Sequence, residues 1–263
     1  MHYQFFDVDI RDGVAAVTLL GADLPAVDEF QEEWLDLLLR LQADRDARVI
    51  LLSDAGAPLR FGHAVATLSE IHGADDGPDT VKAELDTAQR ILTLMHESAK
   101  PIVAAVSGEV SGYGLGLLMN ADVRLAAQSA TFVAPDARTG LLPGWNLTSS
   151  LPGCAGPSAA LEIMLSGRTL GAEEAAAKGI VDRIVPAEQW PDEAEAFCRR
   201  VAEIPQPALR LSKLVMQQVG NLDRTSLLDL ELEAQMQCWD SEETRAGLSA
   251  LEAGRDPFFP SSE

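Results

Sequence analysis

The stretch Pro101 to Val106 is apolar at every position and is closed by Gly108. A short apolar run bounded by turn residues reads as a strand buried on both faces, so this chain has to build a sheet that other layers cover. Upstream, two more strands are expected at Phe5 to Ile10 and Val14 to Leu20, joined by Arg11-Asp12-Gly13, whose Asp-Gly is a hairpin signal. Val27 to Ala43 carries Phe30, Trp34, Leu37, Leu38 and Leu41 at helical spacing, and Arg48 to Ser53 follows as a strand. A helix is expected over Val81 to His96. Strand, strand, helix, strand is the order of an α/β fold with mixed sheets.

From Gly108 to Pro143 the chain is rich in glycine and small residues, with apolar pieces at Val123 to Ala127 and Ala130 to Val133 between tight turns. Backbone approaches something closely there. Leu161, Met164 and Leu165 share a helical pattern, Ile180 to Val185 reads as a strand, and Glu188 to Glu203 is helical. Residues 208–253 are helical almost throughout but hold too little apolar surface for a core of their own. The organisation expected is therefore a main body over residues 1–200 and a helical region over 201–263 that packs on it or on a neighbouring subunit. His72 and His96 read as exposed helix residues, and Asp75, Asp76 and Asp79 as a solvated loop.

Charge narrows the partners. The chain has 263 residues, 20 basic and 41 acidic, for a net charge of −21. That balance repels phosphate backbones and anionic lipid, which argues against nucleic acid and membrane surfaces as partners. The three cysteines, Cys154, Cys198 and Cys238, have neither disulfide-framework nor zinc spacing. No metal is called for, and a reducing cytoplasm is the expected setting. The acidic N-terminus does not look like a signal peptide, and no apolar run reaches the roughly 18 residues of a membrane span.

At Lys100-Pro101-Ile102-Val103-Ala104-Ala105-Val106-Ser107-Gly108 the sequence resembles the crotonase, or enoyl-CoA hydratase/isomerase, family. The likeness continues through Ala121 to Ala126, Ala130 to Asp136, Gly140 to Gly144, Leu165 to Arg168, Ala172 to Val185 and Ser241 to Leu251. It implies a spiral of repeated ββα units with a C-terminal helical oligomerisation region, assembled as a homotrimer or a dimer of trimers. It also implies an oxyanion hole, two backbone N–H groups that hold a thioester oxygen while an enolate forms. Here those donors fall on His63, in Phe61-Gly62-His63-Ala64, and on Tyr113, in Gly112-Tyr113-Gly114.

The catalytic carboxylates depart from the family pattern. Hydratases of the family hold and split water with two glutamates. The first falls on Gly116, which has no side chain, and the second on Asp136. A position used for nucleophilic or diene chemistry falls on Gly144. A single remaining carboxylate suits an isomerase that moves one proton from carbon to carbon, with Asp136, His63 and Tyr113 as the catalytic set. Arg60, Ala64, Ala66, Gly112, Trp145 and Asn146 would surround the substrate, Trp145 as a pocket wall and Arg60 as a phosphate partner. Ala66 stands where the family has an Asp, and Gly21-Ala22-Asp23-Leu24 lacks the basic residues that meet the nucleotide of coenzyme A. The expected substrate is a small acyl thioester or dicarbonyl compound, with coenzyme A as part of the substrate and no separate cofactor. Two other readings fit the residues: a decarboxylase or β-diketone C–C hydrolase, and a non-catalytic acyl-CoA-binding protein.

Overall fold

The computed structural model describes residues 3–20, 27–54, 58–61, 65–257 and 259. In chain order its strands are β1 (Phe6–Arg11), β2 (Val14–Leu19), β3 (Val49–Ser53), β4 (Leu59–Phe61), β5 (Ile102–Val106), β6 (Glu109–Gly112), β7 (Val123–Ala127), β8 (Thr131–Val133), β9 (Leu170–Gly171) and β10 (Arg183–Val185). The helices are α1 (Val27–Ala43), α2 (Val65–Gly73), α3 (Gly77–Glu97), α4 (Tyr113–Met119), α5 (Leu147–Ala155), α6 (Pro157–Ser166), α7 (Ala172–Ala177), α8 (Asp192–Ala202), α9 (Gln206–Gln217), α10 (Arg224–Trp239) and α11 (Glu242–Glu252). Short 3₁₀ turns occupy Asp136–Thr139 and Ala187–Gln189.

One sheet runs β1-β2-β3-β5-β7-β10 and a second runs β4-β6-β8-β9. The hairpin β1–β2 is antiparallel, and the rest of the larger sheet is parallel. Its turn is the tight one that Asp-Gly favours, with Asp12 at φ 51° and Gly13 at φ 77° between the paired Arg11 and Val14. Alternation along the central strands divides the core. Ile50, Leu52, Ile102, Ala104 and Val106 face the layer that holds Phe30, Trp34 and Leu38 of α1 and Ile91 and Met95 of α3. Val49, Leu51, Val103 and Ala105 face Ala194, Cys198 and Ala202 of α8. All five residues of β5 are buried because both faces are covered.

The structure redraws several expected segments. Helix α3 begins at Gly77, so Asp75 and Asp76 lie in the short exposed turn before it, Asp76 as its N-cap, while Asp79 lies in its first turn, where a carboxylate complements the helix dipole. Between Gly108 and Pro143 the two apolar pieces are the strands β7 and β8, and the glycine-rich part before them adds β6 and α4. Only Arg183–Val185 of the expected strand from Ile180 pairs, and the helix expected from Glu188 begins at Asp192 after a 3₁₀ turn. His72 and His96 are exposed helix residues.

The C-terminal helices are fastened to the body by one buried and one half-buried cation. Arg48, 8% exposed, donates to the carbonyls of Ile204 and Phe259 at 3.0 and 2.7 Å. Lys213 of α9 donates to Asp122 Oδ2 at 2.7 Å and to the Met95 carbonyl at 3.2 Å. Asp223 caps α10 through the Thr225 and Ser226 N–H groups, and Ser241 caps α11 through that of Thr244.

Candidate active site

Three parallel strands of the smaller sheet end side by side. Phe61, the last residue of β4, is registered with Gly112, the last of β6. Ser111 of β6 is registered with Val133, the last of β8. At this carboxyl edge β4 ends at Phe61, β6 runs into α4 at Tyr113, and β8 continues through Ala134 and Pro135 into Asp136. That edge is where parallel α/β sheets place their ligands.

Gly112 makes the turn from β6 into α4 at φ 57° and ψ −129°, a conformation that side chains do not tolerate. A Cβ on Gly114 would lie 2.2 Å from the Leu59 carbonyl oxygen, so this glycine lets α4 pass directly over β4. Tyr113, the first helical residue, has a first-turn N–H with no carbonyl partner within its helix. Directly after β3, buried Asp54 accepts the Ser107 and Gly108 N–H groups at 2.6 and 2.9 Å, which fixes the turn that launches β6.

Gly116 is more than a position lacking a carboxylate. A Cβ there would lie 2.3 Å from Trp145 Cβ and 2.8 Å from the Trp145 carbonyl oxygen. The segment carrying Trp145 has settled onto α4 where a longer side chain would stand. Trp145 and Asn146 both adopt left-handed backbone, at φ 54° and 60°. That is a natural conformation for asparagine and a strained one for tryptophan. Asn120 holds the segment in place. Its amide donates to the Gly116 and Trp145 carbonyls at 2.7 and 3.1 Å, while its Oδ1 accepts the Asn146 amide at 3.1 Å. The Trp145 ring is 3% exposed and stacks on Tyr113 with centroids 5.9 Å apart.

Asp136 opens the 3₁₀ turn after Pro135 and is half-buried. Its Oδ2 is fully shielded from solvent and has no hydrogen-bond partner among the described residues. Burial pushes this carboxyl above the ordinary aspartate range, and its own main-chain N–H offsets part of that rise. A carboxylate with one shielded oxygen left without a partner is primed to take a proton. The Tyr113 phenol is also pushed above its ordinary value, first by burial and then by the charges of Glu84 and Asp136. Glu84 was absent from the residues singled out by sequence. It sits half-buried on α3 in register with Gly77, Ala88, Ile91 and Met95, and a carboxylate on an otherwise uncharged inward stripe was its sequence signal.

Of the expected site residues, Tyr113, Gly112, Trp145 and Asp136 come together. Asn146 is exposed and engaged by Asn120. Arg60 lies in β4 and Ala66 in α2, but their side chains, like His63, Ala64 and the segment Gly21 to Leu24, lie outside the described residues. Among the described residues no three His, Cys, Asp or Glu side chains converge as a metal site would require, and no helix is long and apolar enough to cross a membrane.

Comparison with known proteins agrees with this geometry. The sequence model of the enoyl-CoA hydratase/isomerase family matches residues 9–261. A crotonyl-CoA hydratase from Syntrophomonas wolfei is 28% identical over 96% of this chain and 86% of its own. A 1,2-epoxyphenylacetyl-CoA isomerase from Escherichia coli is 29% identical over 88% of each chain. The crystal structure of an enoyl-CoA hydratase/isomerase from Cupriavidus metallidurans superposes with a TM-score of 0.86 over 100% of this chain and 99% of that one, at 26% identity. Strand order, the glycine-opened α4 and a match spanning nearly every element lead to one conclusion: the chain belongs to the enoyl-CoA hydratase/isomerase family.

Proposed function

We propose that this family member is an isomerase of acyl-CoA thioesters in which Asp136 is the sole acid–base group. The observation that carries the reading is the contrast between two positions. Asp136 keeps a shielded carboxylate oxygen without a partner, whereas the space next to Gly116 is taken by Trp145. In this mechanism the Asp136 carboxylate removes a proton from the carbon next to the thioester. The electron pair left behind moves onto the thioester oxygen, where the Tyr113 N–H and, by the family resemblance, the His63 N–H stabilise the charge. The same proton then returns two carbons further along, so that a 3-enoyl thioester becomes the conjugated 2-enoyl isomer. No water is consumed, which suits a site with one carboxylate. That a similar protein is named as an isomerase of 1,2-epoxyphenylacetyl-CoA adds support.

The test compares turnover of trans-3-hexenoyl-CoA with hydration of crotonyl-CoA. Isomerisation at least tenfold faster than hydration is expected, and efficient hydration overturns the reading. Tight acyl-CoA binding with neither reaction would identify a binding protein instead.

A trimer or dimer of trimers belongs to the same proposal. Leu228, Leu232, Met236 and Trp239 form an exposed stripe on α10, continued by Leu248 and Leu251 of α11. An apolar surface of this kind calls for a cover, and another copy of the chain is the proposed one. Sedimentation equilibrium giving a stable monomer would exclude it.

A further inference from the structure

Two glycines of the site are each faced by an aromatic residue. A Cβ on Gly116 would meet Trp145 Cβ at 2.3 Å, and a Cβ on Gly144 would lie 3.2 Å from Tyr113 Cε1 and 3.6 Å from Tyr113 Cδ1. Gly144 is not one of the glycines with left-handed backbone, so the Tyr113 ring, and not the main chain, is what would crowd a side chain there. The ring has little room to withdraw. Trp145, 3% exposed, backs it with centroids 5.9 Å apart and planes at 29°, and Gly144 lies along one edge. A close-packed ring keeps its position when a ligand arrives.

That position is close to the chemistry. The ring hangs by one methylene from the residue whose N–H meets the thioester oxygen in the mechanism above. Its neighbours Gly144 and Trp145 close the segment that starts at Asp136, to whose carbonyl the Leu141 N–H returns at 3.3 Å. The Asp136 charge acts on the phenol, as expected of a ring on the base's side of the site. An acyl chain that offers its oxygen to the Tyr113 N–H and its carbon to Asp136 meets this ring within its first few carbons.

We propose that the Tyr113 ring, held by Trp145 and Gly144, is the wall that limits acyl length at this site, so that the substrate is a short-chain acyl thioester. The proposal rests on the reading of the site as one that takes acyl-CoA, and not on which reaction follows. Apolar pockets reward length: each methylene they bury tightens binding about fourfold. A fixed wall ends that gain.

The test is calorimetric binding of hexanoyl-CoA and decanoyl-CoA, which carry no double bond to move, to the full chain and to Tyr113→Ala, Tyr113→Leu and Tyr113→Phe. All three variants keep the N–H of residue 113. The parent should bind decanoyl-CoA no more than about threefold tighter than hexanoyl-CoA, far below the gain that four buried methylenes give. Tyr113→Ala should shift that ratio about tenfold or more towards decanoyl-CoA, and Tyr113→Leu should shift it less, because leucine fills part of the ring's volume. Tyr113→Phe should keep the parent's ratio, since the ring and not its hydroxyl forms the wall. If Tyr113→Ala does not fold, Tyr113→Leu carries the comparison. A parent that already prefers decanoyl-CoA by about tenfold or more overturns the wall, and so does a parental ratio in Tyr113→Ala and Tyr113→Leu. A shift in Tyr113→Phe as large as in Tyr113→Ala assigns the limit to the hydroxyl and overturns the role of the ring. Binding of neither thioester overturns the acyl-CoA reading and this proposal with it. The isomerase reading fails separately: the expected ratios beside no turnover of trans-3-hexenoyl-CoA leave the wall standing and remove the reaction alone.

Discussion

Asp136 joins function to a stability cost. Burial raises its carboxyl pKa in the folded chain, so the native state binds that proton more tightly than the unfolded state does. Ionising it therefore costs stability, and the cost grows as pH rises from the ordinary carboxylate value of about 4 through the raised one. Asp136→Asn removes the charge and the cost together. Its melting temperature should exceed the parent's at pH 8, and the gap should narrow as pH is lowered through the raised value towards the ordinary carboxylate value of about 4. The same variant should lose on the order of 10²–10⁴ in turnover, the range a general base contributes. A variant no more stable than the parent at pH 8 would show that the carboxyl ionises without penalty. Gly116 supplies the opposite case. With a Cβ only 2.3 Å from Trp145 Cβ, Gly116→Glu should not rebuild a water-holding pair. It should cost about 1–3 kcal/mol or more by overpacking, read from urea unfolding, and leave crotonyl-CoA hydration unrecovered.

Among elements, the segment from Gly144 to Asn146 depends on α4, and Asn120 is the link. One side chain satisfies two carbonyls and accepts one amide, which holds a tryptophan in left-handed backbone. Strain of that kind, of order 1–3 kcal/mol, persists only where the surroundings over-determine it. Asn120→Ala should therefore destabilise the fold by about 1–3 kcal/mol, because two part-buried carbonyls lose their donor. It should also release Trp145 from Tyr113, which a red-shifted tryptophan emission would report, and unchanged emission would count against the link. Sequence shows why such an arrangement is hard to foresee. Gly116 is legible as a missing glutamate, but that Trp145 fills the gap follows from the approach of two elements 25 to 29 residues apart in the chain. The helix α3 was legible from its apolar spacing, yet its start at Gly77 was not, since Asp75, Asp76 and Asp79 look equally like a solvated loop and a helix N-terminus.

In the molecule as a whole, Arg48 ties the first third of the chain to the last residues described. Its guanidinium, lowered in pKa by burial despite the Glu243 charge, donates to carbonyls that follow α8 and α11. Arg48→Met keeps the aliphatic stem and removes both bonds. We expect a loss of about 1–3 kcal/mol, as for other charged hydrogen bonds, together with faster proteolytic cleavage after residue 200. Parental cleavage rates would mean that the C-terminal helices are held by packing alone.

What the sequence by itself determined are the features written in local chemistry. They include the Asp-Gly hairpin, the five-residue buried strand at Ile102–Val106, the apolar stripe of α1, and the family to which the Lys100–Gly108 stretch and its companions belong. Each of these depends on neighbours in the chain or on a pattern readable along it. Tertiary structure alone decided the rest. The parallel register of β4, β6 and β8 sends three separate segments out at one edge, a choice made by hydrogen bonds between residues 50 or more positions apart in the case of β4 and β6. It also decided that the Gly116 gap is closed and that Asp136 loses its solvent. Glu84 of α3 likewise acts on the Tyr113 phenol only once the chain has folded. Burial and proximity are properties of packed surfaces, and a carboxylate becomes a base or a surface charge according to what lies against it.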